Sequence, residues 1–184
     1  MKKTTIHLIV TLSLLSHAFY SCYSQENKLK IYSTSLGIGP IFSSTDTFGG
    51  GLSTCLDLSI AFKTNIFSFY YNTNYDYSDF GIMGAKDREY YQEANLTFGK
   101  EFKLIEQLSL EGHIGLGYFQ QKYYTHDAYY NYEDKNEHSI GFPLRIKLIY
   151  YISRHFGVGI NPNLNLNSLN NTFSGNLLLQ YKFI

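Results

Sequence analysis

The chain of 184 residues contains no tryptophan, two cysteines and three prolines, and its fifteen Lys and Arg balance fifteen Asp and Glu. The near-absence of cysteine excludes a disulfide framework. Cys22 lies in the leader described below, which leaves Cys55 without a partner, and Cys55 is read as a small packed residue rather than a nucleophile. The zero net charge excludes a global field that would draw in nucleic acid or anionic lipid. Charge of either sign is scarce. Charged residues are 16% of the chain, against 17% aromatics made up of 18 Tyr and 14 Phe, whereas an ordinary soluble domain is nearer a quarter charged. Long hydrophobic runs are missing too. The longest, from Ile6 to Leu15, falls short of the roughly 20 residues a helical span requires.

That run follows Lys2 and Lys3 and precedes small residues at Ser16, Ser21 and Ser24, the pattern of a secretory signal peptide. Residues 1–24 are therefore expected to be a signal, with Gln25 as the new terminus. Phe19 to Cys22 form a poorer match to a lipoprotein box in which Cys22 would be acylated. Residues 25–184 would then make one domain.

What is present in that domain is alternation. Between Phe156 and Asn167, one set of positions holds Phe156, Val158, Ile160, Pro162, Leu164 and Leu166, and the other holds only glycine and asparagine. Period two is the signature of a strand. A polar face without charge suits a confined interior rather than bulk water. The same pattern recurs, beginning with Leu36–Phe42, Leu52–Phe62, Phe67–Tyr77, Tyr90–Gly99, Leu108–Phe119, Ser139–Tyr150 and Phe173–Phe183. The connections are read as loops at Ser43–Gly51, Ser78–Glu89 and Thr125–Glu137, and shorter turns at Lys63–Asn65, Lys100–Gln107, Ser153–His155 and Ser168–Asn171. The fold expected is all-β, an eight-stranded antiparallel up-and-down transmembrane β-barrel with both termini and the turns at residues 63–65, 100–107 and 153–155 on the periplasmic side. No charge falls mid-strand in the apolar set, where it would cost about 2–4 kcal/mol at the bilayer midplane. A soluble lipocalin-like barrel, with its apolar face inward, would leave Ser, Asn, Gly and Thr as its solvent face.

The leader, the eight alternating strands and the ending Leu177, Leu179, Tyr181, Phe183 together resemble the small outer-membrane β-barrel proteins of Gram-negative bacteria. The Asn- and Tyr-rich style is similar to the porin-like members from Bacteroidota. The resemblance implies location in the outer membrane, contact with its lipid, a monomeric barrel, and Tyr181 and Phe183 as the signal read by the barrel-insertion machinery. Ile184 departs from the commonest ending.

The lumen-facing set places Asp57, Glu93 and Glu111 with Arg145, Lys147, Lys182 and His113. In a narrow barrel filled by its own side chains such charges must pair, so this set is expected to be a structural plug, with a gated ion path as the alternative. Glu111 and Lys147 lie at similar depth on adjacent strands and are expected to meet, with Arg145 as a second partner to Glu111 or Glu93. The three prolines, Pro40, Pro143 and Pro162, all fall within strands, where each removes a ladder donor and calls for a bulge or local break.

Catalytic chemistry finds little support. His138 and Ser139 are adjacent and so face opposite ways on a strand, unlike the His and Ser two apart of lipid A deacylases. Asp127, Glu133, Asp134 and Glu137 match no calcium-loop spacing. The Gly-x-Gly triplets at Gly37, Gly115 and Gly157 lie within strands, not phosphate loops. No catalytic residue, cofactor or metal site is assigned. Tyr124, Tyr129, Tyr130 and Tyr132 form a candidate contact patch. Function is expected to be structural or surface-binding through the outer loops, or else passage of small solutes.

Overall fold

The computed structural model describes residues 29–44, 50–76, 88–126 and 132–183; the expected signal peptide lies outside them, as do Tyr77, Tyr129, Tyr130 and Ile184. Within the described residues eight strands run in order: β1 Lys30–Ser43, β2 Gly51–Phe62, β3 Asn65–Asp76, β4 Arg88–Ile105, β5 Leu108–His126, β6 Tyr132–Tyr151, β7 Phe156–Asn167 and β8 Thr172–Lys182. Each pairs antiparallel with its neighbour, and β1 pairs with β8 to close the barrel.

The alternation in sequence becomes alternation of exposure. Leu96 is 70% exposed, Ile140 67% and Leu177 65%, while their neighbours Asn95, Gly141 and Asn176 turn inward, two of them fully buried. An apolar belt of this extent cannot face water. It faces hydrocarbon, and closure of the barrel leaves no unpaired edge inside the bilayer. Aromatics gather at the lower rim, where Phe67 and Phe98 meet edge to face at 5.4 Å and Tyr181 lies 5.0 Å from Phe156 and 4.9 Å from Phe183.

Two connections differ from the sequence reading. The turn expected at Lys100–Gln107 is only Glu106–Gln107, because β4 continues to Ile105 through a register shift between Lys103 and Ile105. Lys100 falls on the outward parity and so mimics the end of a strand. The segment expected to be a loop at Thr125–Glu137 is mostly ladder, with Tyr124 opposite Asp134 and His126 opposite Tyr132. Since β7 reaches only Gly141 on β6, and β3 only Gln92 on β4, the upper ends of β4, β5 and β6 stand beyond the barrel as a three-stranded extension.

The prolines break the ladder on one side and nothing more. The β1–β8 ladder steps from Ile38/Leu177 to Ile41/Ser174 past Pro40, β5–β6 from Ile114/Leu144 to Gly117/Gly141 past Pro143, and β6–β7 from Arg145/Asn163 to Leu148/Ile160 past Pro162. Register resumes unchanged, so no bulge is needed. The bulges lie elsewhere, one of them between Ile31 and Ser33, which turns both Tyr32 and Ser33 inward.

Several lumen glycines are set by curvature. An added Cβ at Gly39, Gly115 or Gly159 would fall on a backbone carbonyl oxygen of the adjacent strand, those of Gly175, Leu96 and Leu148. At Gly37 and Gly157 it would meet side chains instead, Cys55 Sγ and Ile149 Cγ2, both at 2.7 Å. Gly112 and Gly175, on the outer face, have nothing within 4 Å. Gly159→Ala is therefore expected to lower stability by about 1–3 kcal/mol, since backbone cannot yield as a side chain does. Gly112→Ala should change it little. Urea unfolding of both variants in lipid checks the contrast.

Candidate functional site: the barrel lumen

Strand β5 serves as a ruler, with Ser109, Glu111, His113, Phe119 and Gln121 pointing inward from the periplasmic end to the outer end. Glu111 is directly opposite Lys147 in the β5–β6 register, and Lys147 Nζ lies 2.7 Å from Glu111 Oε2. His113 Nε2 is 3.1 Å from the same oxygen, and the Tyr32 hydroxyl donates to Glu111 Oε1 at 3.2 Å. Glu111 and Lys147 are both fully buried.

One register step along, Arg145 reaches across the lumen. Its Nη1 pairs with Asp57 Oδ2, its Nη2 donates to Ser68 Oγ at 2.7 Å, and the guanidinium lies 4.3 Å from the centre of the Tyr70 ring. Lys147 also approaches Asp57, at 3.6 Å, which joins the two groups into one network. Ser59 donates to Asp57 at 2.7 Å. Arg145 thus serves Asp57 and neither glutamate, contrary to the expectation from depth. Its side chain follows the direction of its Cβ across the lumen, not along its own strand.

Glu93 makes no ion pair among the described residues. Its carboxylate accepts amide N–H groups from Asn72 at 2.8 Å, Asn95 at 2.9 Å, Asn163 at 3.0 Å and also Asn165. Four neutral amide donors satisfy the buried carboxylate's oxygens without a cation. This accounts for Asn163 and Asn165 of β7, which the alternation marks as interior without saying what they bind.

Lys182 leaves the network. It pairs with Glu101 at 2.8 Å near the periplasmic end and lies over the rings of Tyr32 and Tyr151 at 4.7 and 5.2 Å. The three-against-three balance read from the sequence therefore becomes three buried acids, Asp57, Glu93 and Glu111, with Arg145 and Lys147. Glu101 lies in β4 and not in the expected turn at Lys100–Gln107; its parity with Gly99 and Lys103 is the signal of its inward direction.

The outer end is closed by apolar contact. Ile41, Tyr91 and Phe119 form a buried cluster with Leu169 against it, and the Tyr91 and Phe119 rings stack at 5.7 Å. Asn170 ties this cap down, donating to the Tyr91 hydroxyl at 2.7 Å. A second cluster of Cys55, Tyr70 and Leu178 fills the middle, with the Cys55 thiol free.

The remaining sequence candidates are dispersed. Tyr124 belongs to β5 and Tyr132 to β6, both on the extension. Tyr181 is in β8, and the Phe183 N–H donates to the Tyr32 carbonyl at 2.9 Å, fixing the end of the chain to β1. His138 stacks on Tyr118 and Ser139 Oγ is 2.8 Å from Ser168 Oγ, so the two lie on opposite faces of β6.

A closed antiparallel eight-stranded barrel, apolar outside and polar and filled within, has the fold of the outer-membrane β-barrels. Among solved structures the chain resembles Neisserial surface protein A (NspA), with a TM-score of 0.65 at 10% identity, over 85% of this chain and 99% of that one. It resembles Ail, the attachment invasion locus protein of Yersinia pestis, with a TM-score of 0.57 at 14% identity, over 84% of this chain and all of that one. The N-terminal barrel of Pseudomonas aeruginosa OprF matches at 0.54 and 10% identity, over 85% and 100% of the two chains. No family model and no curated protein matches the sequence.

Proposed function

We propose that this chain is a non-enzymatic outer-membrane protein with a sealed lumen, exported by residues 1–24 and acting at the cell surface through the β4–β5–β6 extension and the outer loops. The observation that carries the reading is the continuous filling of the barrel, from the Glu111–Lys147–Asp57–Arg145 network through Tyr70 to the Tyr91–Phe119 cap. A lumen so filled has no path for a hydrated solute, and among the described residues catalytic groups do not converge at either rim. What remains to act is the exposed extension. Ail has been solved in complex with the heparin analogue sucrose octasulfate, but the described part of this chain's extension carries Glu89, Glu133, Asp134 and Glu137 against Arg88, Lys122 and Lys135. That balance gives a polyanion no net cationic surface to bind. The tyrosines Tyr124, Tyr129, Tyr130 and Tyr132 suit a protein surface or neutral glycan instead.

The purified protein in a planar bilayer is expected to show no steady conductance. Stable open channels would overturn the sealed-lumen reading and make the chain a small-solute channel.

A further inference from the structure

We propose that the periplasmic mouth of the barrel is a binding site for a small multivalent oxyanion, one carrying several carboxylates or phosphates. The mouth is a pocket of about 880 Å³ whose lining brings Lys30, Lys63, Lys103, Arg154 and Lys182 together with only two acids, Glu101 and Glu106. The chain as a whole is neutral, so this excess is local. Glu101 is taken by Lys182. Among the described residues, Lys30, Lys103 and Arg154 make no ion pair.

The direction of these groups separates the site from an ordinary headgroup ring. Lys30, Lys103 and Lys182 continue the lumen parity of β1, β4 and β8 and lie over the mouth, whereas Lys100 takes the outward parity of Phe98 and Phe102. A lipid phosphate outside the barrel would be met by outward lysines such as Lys100.

The floor is preformed. Tyr151 is held by Gln180 at 2.9 Å and Tyr32 by Glu111 at 3.2 Å, and both rings brace Lys182. Ser109 lines the same floor, is 2% exposed, and its Oγ has no hydrogen-bond partner among the described residues. Its hydroxyl lies beside the Tyr151 side chain and can turn to donate to a ligand oxygen. A cavity of this size takes one small molecule rather than a polymer, and several converging cations favour one with more than one negative group.

Titration calorimetry of the purified protein in zwitterionic detergent, with tripolyphosphate and with citrate as probes, tests the site. Saturable one-to-one binding of at least one probe is expected. Lys30→Gln and Lys103→Gln should each weaken it about tenfold, the loss of one charge-assisted contact, while Lys100→Gln leaves it unchanged. Heat-modifiable gel mobility verifies that every variant is folded. Repeating the titration in nanodiscs with and without phosphatidylglycerol identifies the source: competition by that lipid means that a headgroup fills the site, and its absence means a free anion. No saturable binding of either probe, or an equal loss in Lys100→Gln, would overturn the proposal.

Discussion

Arg145→Met is expected to lower the unfolding free energy in lipid by about 3–5 kcal/mol, the cost of breaking a buried ion pair from one side. The guanidinium holds Asp57, donates to Ser68 at 2.7 Å and Thr97 at 3.3 Å, and covers the Tyr70 ring. Methionine fills much of the volume and keeps contact with the ring, so the loss reports the charge and its hydrogen bonds and not a cavity. Asp57 keeps Ser59 and the more distant Lys147, neither of which replaces a direct guanidinium contact. If the stranded carboxylate is the main cost, Asp57→Asn in the Arg145→Met background should recover much of the loss. Urea unfolding of the two single variants and the double variant measures this, and strictly additive losses would show that the pair is not energetically coupled.

The second large effect concerns Glu111 and Lys147. Lys147→Met removes the 2.7 Å partner of Glu111 and also the 3.6 Å neighbour of Asp57, so it disturbs two carboxylates. Glu111→Gln leaves Lys147 with Asp57 and with Gln180 at 3.5 Å, and leaves the Tyr32 hydroxyl with an amide oxygen to donate to. Lys147→Met is therefore expected to cost the more of the two, about 3–5 kcal/mol, with Glu111→Gln below it. The double variant should be more stable than Lys147→Met alone, because it contains one uncompensated buried charge fewer. The same urea titrations decide it. A double variant less stable than either single one would mean that the two residues stabilise the barrel separately.

Much of this architecture was legible in period two. Each of the eight segments reveals which residues turn inward and which face lipid, since a strand offers only two faces and the bilayer penalises error on one of them. Where two lumen residues share a hairpin, the register also follows, and Glu111 and Lys147 are opposed for that reason. Alternation loses its meaning where parity is locally altered. The bulge beside Tyr32 turned two consecutive residues inward, and Lys100 on the lipid parity disguised the continuation of β4, which hid Glu101 and with it the true partner of Lys182.

The sequence by itself therefore determined the eight strands of the barrel, their faces and most of the interior set. Tertiary structure alone decided which interior groups meet across the lumen. Asp57 and Arg145 are 88 residues apart and touch only because closure of β1 on β8 brings β2 and β6 to face each other across a narrow lumen. Glu93 gathers asparagines from β3, β4 and β7 in the same way. Alternation along a strand carries no information about the far wall. The diameter and stagger of the closed barrel supply it, and these depend on all eight strands at once.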